Sequence, residues 1–117
     1  MYDYINLDYI DLMTDGDADM KVTMLEMLPE EMTNELKLMR EHLAKENWED
    51  LFRAAHKMKS TLAFVGNGAM TEANLAIEHK ARHEEDLGDI PAHLEVVENT
   101  CIKAINEIHN AIAAVSN

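Results

Sequence analysis

Four residues in one short stretch have types and spacing suited to chemistry: Arg53, His56, Lys57 and Lys59, around the run "AAHKMKSTLAFVG" (residues 54–66). The chain holds 10 basic against 23 acidic residues, a formal charge of −13, yet three of its cations fall within these seven positions. An imidazole between cations favours its neutral, nucleophilic form, and the same cations would favour an anion once one is attached to the ring. Lys59 lies at i+3 and leans back toward the imidazole, because helical side chains point toward the N-terminus. Arg53 flanks the other side at i−3. Small residues, Ser60 at i+4 and Ala63 at i+7, leave room for a partner's own active site, and Phe52 at i−4 adds an apolar contact. The plainer alternative is a surface histidine on a solvated helix, of which His42, His79, His83, His93 and His109 supply further instances.

The helix that must present His56 is legible in its apolar positions. Trp48, Leu51, Ala55, Met58, Leu62 and Val65 are spaced 3, 4, 3, 4, 3, a bundle seam. Ala55 lies on that seam, so His56, about 100° further round, sits at its edge and faces solvent. Asn47 offers a cap before this helix, and "GNG" (66–68) closes it.

Four further segments keep helical periodicity, and nothing alternates as a strand would. A short helix over about residues 4–13 ends before "TDGD", where Gly16 takes the left-handed cap and Asp15 or Asp17 caps the next helix. That long helix spans about 17–46, with Leu25, Leu28, Met32, Leu36, Met39 and Leu43 in phase across Pro29. The unbroken phase predicts a kink at Pro29; a stop with a restart at "PEE" is the alternative. Another helix covers about 69–85 with Met70, Ala73 and Ile77 inward. The last starts near Pro91 and buries Leu94, Val97, Cys101, Ala104, Ile105, Ile108, Ile112 and Val115. Short connections between long helices predict an all-α, antiparallel up-down-up-down four-helix bundle with a short additional N-terminal helix, one domain over residues 1–117. Most of the nine methionines are expected as core filler.

Composition narrows the function classes. A charge of −13 argues against nucleic acid and against an anionic membrane surface. The acidic start lacks a signal peptide's basic and apolar regions, and no run approaches the ~18 apolar residues that span a bilayer. The single cysteine, Cys101, cannot form an internal disulfide and fits a reducing compartment. A cytoplasmic protein is expected.

The run from His56 onward resembles the signature of histidine-containing phosphotransfer (HPt) domains. In that family an apolar residue stands at +2 from the phosphorylated histidine, lysine at +3, small residues at +4 and +5, and glycine at +10. Met58, Lys59, Ser60, Thr61 and Gly66 fill those places. Family members are about this long and fold as such a bundle. Ser60 departs from the glycine frequent at +4 but remains small. The family often places Gln or Glu 22 residues on to hold the imidazole, and Glu78 falls there; a solvated acidic residue on a charged helix is the alternative.

The resemblance implies a phosphorelay carrier. His56 would accept a phosphoryl group from a receiver-domain aspartate and pass it to another, Lys59 would stabilise its charge, and Glu78 would orient the ring. Phe52, Arg53, Lys57, Ser60, Ala63 and Gly66 would form the docking face. The implied partners are response-regulator receiver domains and a hybrid histidine kinase, with the chain a monomer that needs no cofactor of its own. Mg²⁺ belongs to the receiver in this scheme. A glycine-rich phosphate loop is missing from the sequence, so no autonomous kinase activity is expected. A dimeric kinase core usually has an acidic residue directly after its histidine and a proline soon after; here Lys57 follows. The initiator methionine favours a stand-alone protein. The runner-up, from another class, is a helical adaptor that binds a receiver or kinase without accepting phosphate.

Other signals are weaker. "DGDADMKVTMLE" mimics a calcium loop, but its sixth position is Met20 where glycine is needed, so capping is the better reading. His79 and His83 at i, i+4 lack an obvious third ligand, and no histidine has a glutamate three residues before it, which excludes a carboxylate-bridged di-metal bundle. No metal site is expected.

Overall fold

The computed structural model describes residues 2–116. Among them five α-helices succeed one another: α1 (Asp8–Thr14), α2 (Ala18–Ala44), α3 (Trp48–Val65), α4 (Gly68–His83) and α5 (Ile90–Ser116), with a 3₁₀ turn at Leu87–Asp89 before α5. No strand occurs among the described residues. Helices α2 to α5 close a ring in which α2 packs on α3, α3 on α4, α4 on α5 and α5 back on α2. The molecule measures 46 × 20 × 20 Å. Two 27-residue helices, each about 40 Å long at 1.5 Å per residue, therefore lie along the long axis. Tight connections return the chain alongside itself.

The seams form the core. Leu51, Ala55, Met58, Leu62 and Val65 of α3 are at most 1% exposed, and they meet Leu25, Leu28, Met32, Leu36 and Met39 of α2. Met70, Ala73 and Ile77 of α4 point inward as expected. Each such large side chain removed from water favours folding by about 1.5–3 kcal/mol. α2 continues through Pro29, as the phase of its stripe predicts. The α5 seam holds Leu94, Val97, Cys101, Ala104 and Ile108 but continues to Ala111, while Ile105, Ile112 and Val115 are only half-buried.

Several expectations need correction. The first helix starts at Asp8, not near residue 4. Tyr4 C=O accepts from Asn67 Nδ2 (2.9 Å), and the Asp8 N–H that a helix would direct to it goes to Asn6 Oδ1 (2.9 Å). The amides of Asp3, Tyr4 and Ile5 donate to the Glu107 carboxylate at 2.9, 2.6 and 3.1 Å, tying this strap to α5. The left-handed cap of α1 falls on Asp15 (φ 48°), one residue before Gly16 (φ 81°), and Asp17 caps α2 by accepting from Met20 N–H. Asn47 precedes α3 without a side-chain cap bond; its Nδ2 donates to Asp50 Oδ2 instead. α4 ends at His83, where Glu84 takes a left-handed conformation. Of the methionines among the described residues only half are core: Met32, Met39, Met58 and Met70 are fully buried, Met24 is half-buried, and Met13, Met20 and Met27 are about half exposed, while Met1 lies outside the described residues.

Candidate functional site

Helices α3 and α4 position the site by the same device on each side. His56 follows the buried Ala55, and Glu78 follows the buried Ile77. One residue past a seam lies at its edge, so the two side chains meet where the helices pack. The His56 Nδ1–H donates to Glu78 Oε2 at 2.7 Å. The imidazole side chain is 64% exposed, while Glu78 is only 13% exposed. A sheltered carboxylate thus fixes the tautomer of an accessible ring, and in that tautomer Nε2 carries the lone pair and is the free nucleophile.

A second contact sets the register between these helices. Asn74, one turn before Glu78, is 1% exposed and donates from Nδ2 to Ala55 C=O at 2.9 Å. It bonds the residue next to His56 and so holds the carboxylate one turn further along opposite the ring. Asn74 was not among the residues expected here; its signal in the sequence is an amide placed directly beside Ala73 in the apolar stripe.

The cations around the ring are unequal. Arg53 is engaged by Glu49 one turn back on its own helix, Nη2 to Oε1 at 2.9 Å, rather than by the imidazole. Lys57 and Lys59 are exposed and make no ion pair among the described residues. The half-buried Phe52 ring lies 6.0 Å from the imidazole, centroid to centroid. Arg82 of α4 sits 5.4 Å over that Phe52 ring, a cation from outside the basic run of α3 and not expected at this face. Ser60 and Ala63 are exposed on the same helix as His56.

Gly66 lies elsewhere. It is the left-handed C-cap of α3 (φ 73°), ten residues or about 15 Å along the helix from His56, and packs under the N-terminal strap. A Cβ there would come within 2.6 Å of Asn6 O.

The remaining reactive groups are apart from this face. Cys101 is 3% exposed, and burial, aided by Glu98, pushes its thiol up to about 11, far from a thiolate nucleophile. The His79 and His83 rings lie 4.5 Å apart, tilted by 57°, and no cluster of three or more metal-ligating side chains occurs among the described residues. No described helix is long and apolar enough to cross a membrane.

Comparison with known proteins gives a match to the family model described as Hpt domain, over residues 23–117. No curated protein and no solved structure matches the chain. Because the family match begins inside α2 and takes in every helix of the ring that presents His56, the chain belongs to the Hpt domain family.

Proposed function

We propose that this chain carries a phosphoryl group on His56, taking it from the aspartate of one receiver domain and delivering it to that of another. Hpt domains serve histidine phosphotransfer in phosphorelays, as carriers and not kinases, and interact with receiver domains and histidine kinases. The observation that supports His56 as the carrier is its exposed imidazole with Nδ1–H given to Glu78 at 2.7 Å.

In the transfer, Nε2 attacks the phosphorus of the aspartyl phosphate. The P–N bond forms as the P–O bond to the aspartate breaks, and the aspartate leaves as carboxylate. Nδ1 keeps its proton, so the phosphorylated ring gains positive character that the Glu78 carboxylate offsets. Lys59 meets the phosphoryl oxygens, and Phe52, Lys57, Ser60 and Ala63 form the surface on which the receiver seats. Arg53 joins that surface once it releases Glu49. Any Mg²⁺ used in the step sits on the receiver, consistent with phosphoryl transfer being chiefly positioning and electrostatics. We place this monomeric carrier in the cytoplasm, in keeping with its lone buried cysteine and acidic surface.

The test is phosphoryl transfer from a panel of phosphorylated receiver domains onto the chain and its His56→Gln variant. The expected label is stable to alkali, labile to acid, and absent from the variant. Receivers that bind the wild type without labelling it would instead establish the adaptor role.

A further inference from the structure

A second site lies one helical turn from His56, on the flank facing α2. There a cleft of about 320 Å³ opens between two facing stripes, Glu31, Asn34, Glu35 and Leu38 of α2 and Ser60 and Thr61 of α3, with Lys57 at its edge. Glu35 is 4% exposed, a carboxyl group buried beside the apolar stripe of α2. Thr61 Oγ1 donates to its Oε1 at 3.2 Å, but Oε2 is buried and has no hydrogen-bond partner among the described residues. Leaving a buried carboxylate oxygen unpaired costs about 1–3 kcal/mol or more. Lys57 forms no ion pair with it and acts on the carboxyl only through its charge at a distance.

We infer that this cleft is a binding site for a single alkylammonium group, either a free small amine or a lysine side chain of a docked protein. The donor set matches such a group. An ammonium has three donors and no acceptor; the Glu31 carboxylate and the Asn34 and Ser60 oxygens line the cleft, and the buried, unpartnered Oε2 comes within its reach once the Glu35 side chain turns toward the opening. Leu38, 44% exposed at the rim, suits the methylene stem that follows an ammonium into a half-buried slot. A phosphate or carboxylate ligand is disfavoured by the same two glutamates.

The test is titration of the full chain with butylammonium chloride, followed by backbone amide NMR shifts, with sodium chloride as the ionic-strength control. Saturable shifts confined to residues 31–38 and 57–61 are expected, with affinity falling at least tenfold in Glu35→Gln. That variant keeps the side-chain volume and the acceptor for Thr61. Lys57→Gln, which removes a competing cation, is expected to bind the amine more tightly. Diffuse shifts matching the salt control, or equal affinity in Glu35→Gln, would overturn the site. Receiver-domain binding to the wild type and to Glu35→Gln, which lies outside the receiver's seat, separates the two sources: affinity lost in the variant identifies a partner lysine, and unchanged affinity identifies a free amine. The titration reads the same in His56→Gln, so its result stands apart from whether His56 carries phosphate.

Discussion

One bond decides what His56 can do. With Nδ1–H held by Glu78, the nucleophilic lone pair is on Nε2, and a ring phosphorylated there, as proposed, would have a carboxylate 2.7 Å from Nδ1 to offset the positive character it gains. Glu78→Ala is therefore expected to slow phosphoryl acceptance by roughly 10- to 100-fold, the equivalent of a charge-assisted contact of about 1.5–3 kcal/mol. Glu78→Gln, whose amide oxygen still accepts from Nδ1–H, should recover part of the loss. Single-turnover transfer from a receiver to each variant checks the order. Lys59→Ala acts on the other end of the reaction. It removes one of the two exposed lysines of the His56 helix that form no ion pair among the described residues, and transfer is expected to slow by roughly 10- to 100-fold without being abolished. Wild-type rates in Lys59→Ala would remove that role. Two amphipathic helices pack with their seam-edge positions together, which is the physical basis of the pairing of His56 with Glu78, 22 positions on; in the sequence that pairing was legible only through the family resemblance. The state of each cation was not. Arg53 and Lys59 look equivalent in sequence, at i−3 and i+3, yet Arg53 has a glutamate one turn behind it and Lys59 does not.

At the scale of elements, α2 and α3 carry a conflict the apolar pattern hides. The stripe of α2 is legible at Leu28, Met32, Leu36 and Met39, but Glu35, directly beside Leu36, is buried too. Burial pushes its carboxyl above the ordinary carboxylate value; the Thr61 hydrogen bond and the charge of Lys57 oppose that, and Glu31 adds to it. A carboxyl raised on folding binds its proton more tightly in the native state. Its contribution to stability is thus full below the unfolded value and is lost as pH rises through the folded one. Glu35→Gln is expected to leave the melting temperature nearly unchanged at pH 4 and to raise it at pH 8, measured by thermal unfolding. An equal change at both pH values would mean that packing, not charge, sets the effect. The same scale explains which boundaries were legible. Helix bodies follow from local periodicity, whereas the start of α1 depends on Asn67 and Glu107, which reach the strap from 63 and about 100 residues away. The exposed methionines lie outside the stripe: Met20 and Met27 sit on α2 away from its buried face, and a flexible thioether tolerates that exposure.

Across the whole molecule, the end remote from His56 is where the chain closes on itself. The C-cap of α3, the N-terminal strap and Glu107 of α5 converge there: Asn6 N–H donates to Val65 C=O at 2.9 Å, Asn67 holds Tyr4, and Ile5 is buried. Gly66 makes this possible, because its left-handed backbone turns the chain and its missing side chain admits Asn6. A left-handed conformation costs an alanine roughly 1–2 kcal/mol, and the 2.6 Å approach to a backbone oxygen cannot be relieved by rotating a side chain. Gly66→Ala is therefore expected to lower stability by at least about 1–2 kcal/mol, and the melting temperature by several degrees, as the strap lifts from Val65. Gly66 is one of the residues that the family resemblance assigns to the docking face, so the variant also separates two roles. If the turn is its work, transfer onto His56 measured well below the melting temperature keeps the wild-type rate, since the imidazole is about 15 Å along α3. If receiver affinity falls while the melting temperature holds, the docking face extends the length of α3 and the strap is part of it.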